Sequence, residues 1–312
     1  MRAKIAVLDD YQGVALKMAD WSAVLARADV DVFSDHLDAA DAVAQRLLPY
    51  DIVCVMRERT PLRADMLERL PNLKLIASTG PRNASIDLEA AAECDIAVVH
   101  TGYFGSPTLE LTWALILGSA RHIVAEAAAV RGGGWQHTIG DDLSGKTLGI
   151  IGLGNLGSQV AKIGLAFGMR VLAWSQNLTA EKAAAVGATL VSKEALLRQS
   201  DFVSIHLVLS ERTRGLIGAA ELSLMKPSAR LVNTSRGPIV VEAALIAALR
   251  AGQIAGAAID VYDVEPLPAD HPYRNLEHLL ATPHIGYVSR ALYERFYRDT
   301  VSNILAWLDG RG

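Results

Sequence analysis

A short apolar run that leads directly into three spaced glycines constrains this chain more than any other feature. The run at residues 147–151 is followed by Gly152, Gly154 and Gly157 in the spacing G-x-G-x-x-G, and a helical pattern covers residues 158–167. A strand, a tight turn and a helix in this order form the unit that holds the pyrophosphate of a dinucleotide in α/β proteins. The sequence therefore predicts a dinucleotide-binding βαβ unit, with an ordinary glycine-rich turn as the alternative.

Each glycine of this fingerprint has a separate physical role. Gly152 permits the sharp turn out of the strand, and Gly154 lets the backbone approach a pyrophosphate closely because it has no Cβ. Gly157 allows the helix to pack tightly on the strand. We expect the helix N-terminus, including Asn155 and Leu156, to present unpaired N–H groups and the positive end of the helix dipole to the phosphates.

The composition argues against several classes of protein. With 312 residues, of which 51% are hydrophobic and 21% charged, the chain is long enough for about two domains with large cores. The net charge of −4 is made of mixed signs, which argues against a nucleic-acid partner. Cys54 and Cys94 form no C-x-x-C pair, and the N-terminus lacks the layout of a signal peptide. The longest apolar stretch, residues 111–117, is too short for a membrane span, so we expect a cytoplasmic protein without a membrane partner.

Strand and helix patterns alternate along the first hundred residues, which predicts a parallel sheet covered by helices on both faces. The strand candidates are residues 5–8, 52–56, 73–77 and 96–99, and the helical patterns are residues 15–25, 39–48, 62–70 and 86–93. Polar residues follow two of these strands: Arg57 after the second, and Ser78, Thr79 and Gly80 after the third. Ligands of open α/β sheets bind beyond the carboxyl ends of strands, so these residues are candidates for binding a small anion. The alternative is a charged surface loop.

A second α/β unit begins near residue 146 and runs to about residue 283. Its strand candidates match a full dinucleotide-binding sheet: residues 147–151, 170–174, 202–206, 230–233, 254–259 and 279–281. A breaker-rich turn at 102–107 precedes one long apolar helix at about residues 108–130, which we expect to be buried between domains or at a subunit interface. The tail at residues 289–308 predicts an amphipathic helix that packs back on the first unit.

Three polar residues stand at strand ends of the second unit and have the types that reduction of a 2-oxo acid requires. Arg236 carries a forked, permanent charge that can grip a carboxylate and polarise the adjacent carbonyl. His284 can donate a proton to the developing alkoxide, and a neighbouring Glu265 favours the charged imidazolium. Singly, each residue also has a structural explanation: an ion pair of Arg236 with Glu242, an exposed loop acid, or a turn histidine. Together, at one edge of one sheet, they favour the catalytic interpretation.

The residues around the expected cofactor site leave the choice between NAD and NADP open. An acid is expected about twenty residues after Gly157 to bind the ribose 2′-hydroxyl of NAD. Instead, the strand at 170–174 is followed by Ser175 and Gln176. The missing acid removes discrimination against NADP, and no arginine directly follows to select it. His206 ends a strand and is expected to border the cofactor. The sequence contains neither an H-E-x-x-H motif nor a Cys/His cluster, so we expect no metal site.

Four ordered motifs make the chain resemble the D-isomer-specific 2-hydroxyacid dehydrogenases over essentially its whole length. They are GLGNLG at residues 152–157, NTSRG at 233–237, DVYDVEP at 260–266 and TPHIG at 282–286. The resemblance implies an α/β fold of two doubly wound parallel-sheet domains. In it, a Rossmann NAD(P)-binding domain, residues 102–285, is inserted in a flavodoxin-like substrate domain, residues 1–101 with 286–312. It also implies a homodimer built through the cofactor domains and the helix after Pro107.

The resemblance also implies roles for individual residues. Arg236 would bind and polarise the substrate, His284 would act as the acid–base group, and Glu265 would be the partner of the histidine. The matching motifs place Thr234, Asp260 and Gly286 beside the nicotinamide half of the cofactor, and Ser235 is a further candidate for cofactor binding. The segment Ser78, Thr79 and Gly80 resembles the family loop whose backbone N–H groups hold the substrate carboxylate.

The substrate stays open within this family. Arg57, Arg59 and Arg82 could hold a phosphate, which favours D-3-phosphoglycerate, or only a carboxylate, which favours glyoxylate or hydroxypyruvate. We predict an NAD(P)-dependent oxidoreductase that acts on a small 2-oxo or D-2-hydroxy acid. One alternative is a nucleotide-dependent methyltransferase, which leaves the ordered Arg, Glu and His motifs unexplained. The other is a non-enzymatic, dinucleotide-sensing scaffold that resembles the corepressors of this superfamily.

Overall fold

The computed structural model describes residues 2–310, which divide into two compact units. The first unit contains the residues up to Phe104 and those from Val288 onward, and the second unit is Gly105–Tyr287. The strands in chain order are β1 (Ala3–Val7), β2 (Ala28–Val32), β3 (Ile52–Val55), β4 (Leu75–Ser78), β5 (Ala97–His100), β6 (Thr147–Ile151), β7 (Arg170–Trp174), β8 (Thr189–Leu190), β9 (Phe202–Ile205), β10 (Arg230–Asn233), β11 (Gly256–Ile259) and β12 (Leu279–Ala281). The α-helices are α1 (Ser22–Leu25), α2 (Ala40–Leu47), α3 (Ala64–Leu67), α4 (Leu88–Glu93), α5 (Ser106–Ala120), α6 (Ile123–Arg131), α7 (Asn155–Ala166), α8 (Ala180–Ala184), α9 (Lys193–Gln199), α10 (Ala219–Leu224), α11 (Glu242–Arg250) and α12 (Arg290–Asp309).

Among the described residues, the first unit is built on a five-stranded parallel sheet in the order β2-β1-β3-β4-β5. This is the flavodoxin-like order of doubly wound sheets. Every residue of β3 and β4 is buried, as expected for parallel strands whose two faces are both covered. The four strands predicted for this unit are confirmed, with ends shifted by one or two residues.

Two features of the first unit differ from the sequence-based prediction. The prediction missed β2, an edge strand in which exposed Asp29 and Asp31 alternate with partly buried valines. The predicted helix at residues 15–25 is wrong: a 3-10 turn, Ala15–Lys17, and the single turn α1 take its place. The carboxylates of Asp10 and Asp20 accept the N–H groups of Ala15 and Ser22, respectively, and therefore start two separate turns.

The second unit, within which every residue is described, contains a seven-stranded parallel sheet in the order β12-β11-β10-β9-β6-β7-β8. The order reverses between β6 and β9, which is the switch point where ligands of doubly wound sheets bind. The six predicted strands are confirmed, and the two-residue edge strand β8 was missed. The fingerprint forms the predicted strand, turn and helix as β6, residues 152–154 and α7.

The long helix predicted at residues 108–130 is wrong, because it is broken into α5 and α6. His122 adopts a left-handed conformation with φ of +51°, which ends the helical path. α5 is largely buried, whereas α6 has no buried residue. Within residues 2–310 no single helix is both long and apolar enough to cross a membrane. α5 and α6 reach that length and hydropathy only as a pair, bent by 65° at the break.

The C-terminal helix α12 packs on the first unit, as predicted. The Ser289 hydroxyl accepts the N–H of Leu292 and caps its start. The helix contacts α1, β4 and β5, and the carboxylate of Asp299 accepts the N–H of Gly102 at 2.8 Å. The chain therefore returns to complete the first unit after building the second.

Candidate active site

The carboxyl ends of five neighbouring strands of the second sheet lie in register. Ile151 pairs with Ile205, Ile205 with Asn233, Asn233 with Ile259, and Ile259 with Ala281. The loops that follow these strands therefore start side by side along one edge of the sheet, at Gly152, His206, Thr234, Asp260 and Thr282. The residues predicted for the cofactor and for catalysis in this unit thus belong to neighbouring loops.

Two of the three glycines of the glycine turn lie against backbone atoms, and the third faces open space. Gly152 has φ of +100°, and a Cβ on it would lie 2.5 Å from the carbonyl oxygen of His206. A Cβ on Gly157 would overlap the carbonyl oxygen of Gly152. Gly154 immediately precedes α7, and a Cβ there would meet nothing within 4 Å. This open space in front of the N–H groups of a helix N-terminus fits the pyrophosphate of a dinucleotide.

Glu265 and His284 form a close pair. Nδ1 of His284 lies 2.6 Å from Oε2 of Glu265, and about a fifth of each side chain is exposed (18% and 19%). The backbone N–H of Tyr262 donates to the other carboxylate oxygen, Oε1, at 2.9 Å. Because a carboxylate can only accept, the proton of this bond resides on Nδ1. The pairing fixes the tautomer and the orientation of the imidazole.

Asp260 fixes the backbone that carries His284. Its carboxylate accepts the hydroxyl of Thr282 at 2.6 Å and the N–H groups of Ile285 and Gly286 at 2.8 and 2.7 Å. His284 itself has φ of +52°, a left-handed conformation that is uncommon for residues other than glycine. Burial raises the pKa of Asp260, while the three hydrogen bonds act in the opposite direction.

Arg236 lies in a loop held by its own neighbours. The Asn233 side chain donates to the carbonyl of Arg236 at 2.9 Å and accepts the N–H of Ser235 at 3.0 Å. The guanidinium of Arg236 donates to the Ser235 carbonyl at 2.8 Å. A Cβ on Gly237 would overlap the backbone of Tyr262, so this loop lies directly against the segment that leads to Glu265.

The remaining predicted cofactor residues of this unit are also held by hydrogen bonds. The hydroxyl of Thr234 lies 2.9 Å from that of Thr112 on α5, and the Ser235 hydroxyl donates to the Ile205 carbonyl at 2.7 Å. Nε2 of His206 lies 2.9 Å from the Ser204 hydroxyl, and burial lowers the pKa of His206 to about 4. Ser175 follows β7 directly, as predicted, and Gln176 comes next.

In the first unit, the residues predicted to bind an anion contact one another. Arg57 donates its backbone N–H to the Thr79 hydroxyl at 2.8 Å and its guanidinium to the Thr79 carbonyl at 3.3 Å. The guanidinium occupies the position of a side chain on Gly80 and lies over the ring of Tyr103, 5.4 Å from its centroid. The N–H groups of Thr79 and Gly80 donate to the Val55 carbonyl and the Thr101 hydroxyl.

The bonds of the Thr79 and Gly80 N–H groups differ from the sequence-based expectation that the backbone N–H groups of this loop bind the substrate carboxylate. Here two of those groups are already bonded, the N–H of Thr79 to the Val55 carbonyl of β3 and the N–H of Gly80 to the Thr101 hydroxyl. The hydroxyl of Ser78 is likewise engaged and accepts from Asn83 at 3.1 Å. In this segment, the guanidinium of Arg57 is the group whose charge suits an anion.

Sequence reasoning missed several residues that hold the site. Tyr262 and Thr282 lie inside the motifs that predicted Glu265 and His284, but their contacts depend on the fold. Thr108 and Thr112 of α5 contact Gly286 and Thr234, and no local pattern marks them. Within residues 2–310 no group of three or more His, Cys, Asp or Glu side chains could hold a metal ion.

Comparisons with known proteins point to one family. Residues 113–286 match the family described as "D-isomer specific 2-hydroxyacid dehydrogenase, NAD binding domain". The chain is 42% identical over 257 residues to a glyoxylate reductase of Aeropyrum pernix, covering 79% of this chain and 77% of that protein. It is 36% identical over 284 residues to a hydroxypyruvate reductase of Thermotoga maritima, covering 89% of this chain and 91% of that protein.

Solved structures are similar over nearly all of the chain. The crystal structure of a phosphoglycerate oxidoreductase from Vibrio cholerae matches with a TM-score of 0.93 at 35% identity, covering 99% of both chains. The strand order of the second sheet and the glycine turn are those of a dinucleotide-binding fold. This chain therefore belongs to the D-isomer specific 2-hydroxyacid dehydrogenase family and is an NAD(P)-dependent oxidoreductase.

Proposed function

We propose that this protein reduces a small 2-oxo acid with NAD(P)H to the corresponding 2-hydroxy acid, in the D configuration where that product is chiral. The candidate substrates are glyoxylate, hydroxypyruvate and 3-phosphohydroxypyruvate, the 2-oxo form of 3-phosphoglycerate. The observation that carries the proposal is the 2.6 Å pair of His284 and Glu265 at the strand-end edge that also carries the glycine turn. The names of the similar proteins support this class of acids.

In this proposal His284 is the proton donor. Glu265 binds Nδ1, so Nε2 is the ring nitrogen that exchanges a proton with the substrate oxygen. For reduction, Nε2 carries the proton that the substrate oxygen accepts. In the reverse direction, the neutral ring takes the proton of the hydroxyl group. The bound cofactor supplies the hydride.

Arg236 binds the substrate carboxylate and polarises the carbonyl next to it. A guanidinium offers two parallel N–H donors to a carboxylate and keeps its charge at every working pH. The bonds of Asn233 to both sides of this loop limit the movement of the Arg236 backbone. We also propose that the substrate is bound by four residues of the first unit: Arg57, Ser78, Thr79 and Gly80.

The cofactor would be held by the glycine turn and by the neighbouring loops. Gly152, Gly154 and Gly157, with the N-terminal residues Asn155 and Leu156 of α7, would take the pyrophosphate. The nicotinamide half would be bordered by His206, Thr234, Ser235, Asp260 and Gly286. Ser175 and Gln176 would meet the ribose next to adenine. With no acid there to repel a 2′-phosphate, we propose that NADPH is accepted as well as NADH.

We further propose that the protein works as a cytoplasmic homodimer. α6 and the segment after it expose apolar side chains, including Ile123, Val124, Trp135 and Ile139. Several large apolar side chains exposed within one short segment are typical of a subunit interface. Unpaired Cys54 and Cys94 are in keeping with a reducing compartment. Sedimentation analysis tests the dimer, and a monomer at micromolar concentration would contradict it.

The experiment that tests the proposed reaction is a reduction assay. It offers glyoxylate, hydroxypyruvate and 3-phosphohydroxypyruvate, each with NADH and with NADPH, and follows loss of the reduced nicotinamide. We expect turnover of at least one acid and the D-isomer as the chiral product. Tight cofactor binding without turnover of any 2-oxo acid would contradict the proposal and favour the non-enzymatic sensing scaffold, which the comparisons do not support.

A further inference from the structure

Tyr262 is bonded to both of the loops that meet in the His284–Glu265 pair. Its backbone N–H donates to Oε1 of Glu265 at 2.9 Å, and its hydroxyl donates to the carbonyl of Thr282 at 2.8 Å. The same Thr282 carbonyl accepts the N–H of His284 at 2.9 Å. One residue thus links the carboxylate to the turn that carries the imidazole.

The surroundings of Tyr262 allow little movement of this link. The residue is 7% exposed, its backbone lies against Gly237, and its ring packs against that of Tyr273 with 6.2 Å between centroids. Burial raises the pKa of Tyr262, and the negative charges of Asp260 and Glu265 act in the same direction. The hydroxyl therefore stays protonated, and able to donate a hydrogen bond, over the whole pH range in which the protein works.

The His284 turn is the part of the pair that needs such support. A histidine with φ of +52° lies in a sparsely populated conformation, which relaxes unless the surrounding bonds hold it. Asp260 holds the turn from the side of Ile285 and Gly286, and Tyr262 holds it at Thr282. Tyr262 is in addition bonded to Glu265 through its own backbone N–H. Its hydroxyl is therefore placed to set the distance between the turn and the carboxylate.

We propose that Tyr262 is a positioning residue for proton transfer, whose hydroxyl holds His284 at the distance from Glu265 that the reaction requires. The expected effect on kcat rests on the proposed function, whereas the expected effect on the His284–Glu265 hydrogen bond does not. In this proposal Tyr262 contacts Glu265 and the turn that carries His284, but it exchanges no proton with the substrate and acts only through the pair. Removing the hydroxyl therefore affects proton transfer more than binding.

Tyr262→Phe tests this because it removes only the hydroxyl and keeps the backbone bond to Glu265. We expect kcat to fall about 3- to 10-fold, the effect of one hydrogen bond, with the KM for the cofactor within about twofold. In a Glu265→Gln background the same change should have little further effect, because both changes act on one pair. Tyr273→Phe is the matched control, since it removes a hydroxyl from the adjoining buried ring, and we expect unchanged kcat.

A second readout requires no substrate. The short Nδ1–H···Oε2 bond should give a low-field proton resonance, identified by its absence from His284→Asn. We expect Tyr262→Phe to shift or broaden this resonance and Tyr273→Phe to leave it unchanged. An unshifted resonance in a folded Tyr262→Phe protein would overturn the inference, whether or not any acid is turned over. Wild-type kcat retained in Tyr262→Phe would overturn it as well, whereas an inactive wild type would contradict the proposed function alone.

Discussion

Gly157→Ala should lower the stability of the fold, whereas Gly154→Ala, only three residues away, should lower the affinity for the cofactor. Gly157 lies inside α7, where replacing glycine by alanine ordinarily stabilises a helix by about 1 kcal/mol. Here the new Cβ would overlap the carbonyl oxygen of Gly152 and lie 3.2 Å from Cγ2 of Ile150. The obstacle is backbone, so the helix must withdraw from β6, and overpacking of this kind costs about 1–3 kcal/mol or more. Because a backbone carbonyl cannot yield as a side chain can, we take the upper end of this range, about 3 kcal/mol. Less the helix gain of about 1 kcal/mol, this leaves a net loss of about 2 kcal/mol, which lowers the melting temperature by roughly 4–8 °C.

Gly154→Ala meets no such obstacle, because nothing lies within 4 Å of its Cβ and its φ of −83° suits any residue. Stability should change by less than about 1 kcal/mol. The methyl group would instead occupy the space proposed for the pyrophosphate, so cofactor affinity should fall about tenfold or more. Thermal unfolding followed by circular dichroism, with cofactor binding followed by nicotinamide fluorescence, separates the two effects. A Gly157→Ala protein as stable as wild type, or a Gly154→Ala protein with unchanged affinity, would refute the reasoning.

Three further predictions follow from single side chains. Ser175→Asp supplies the missing acid and should shift the kcat/KM ratio of NADPH to NADH towards NADH; an unaltered ratio would place the selectivity elsewhere. Burial lowers the pKa of His206 from 6.5 to about 4, so the folded protein binds the imidazole proton more weakly than the unfolded chain does. The free energy of unfolding therefore falls as the pH falls from about 6.5 towards 4. Over this pH range the free energy of unfolding of His206→Gln, measured by thermal unfolding, should therefore fall less than that of the wild type, by up to about 3 kcal/mol. An equal fall in both proteins would contradict the lowered pKa of His206. Buried Cys54, whose pKa burial raises to about 12, should not react with a thiol reagent at about pH 8 in the native protein, whereas partly exposed Cys94 should; rapid labelling of both would contradict this.

Much of the fold could be predicted because its signals are local. Short apolar strands, helical periodicity and the G-x-G-x-x-G turn are properties of adjacent residues, and they gave ten of the strands in residues 2–310. The elements that were predicted wrongly or missed also have physical explanations. The break in the helix at residues 121–122 depends on the left-handed backbone of His122, and the charged alternation of β2 hides a strand at the sheet edge.

The candidate site could be predicted only in part. Arg236, Glu265 and His284 were found because strand ends collect at one edge and because their residue types suit one reaction. Their supporting residues were not found, since the bonds of Tyr262 to Thr282 and of Thr112 to Thr234 join segments up to 122 positions apart. The N–H groups of Thr79 and Gly80 also proved to be bonded, which depends on the neighbouring strand and not on their own sequence.

The most direct test of the central claim, that His284 transfers the proton, compares His284→Asn with His271→Asn. Asparagine tolerates the left-handed backbone at position 284. His271 is a matched control because it also pairs with a glutamate, Glu242, at 3.0 Å. With the acid that wild type reduces, we expect His284→Asn to lose kcat by about 100-fold or more at unchanged cofactor affinity, and His271→Asn to keep it. Wild-type turnover by His284→Asn would contradict the account.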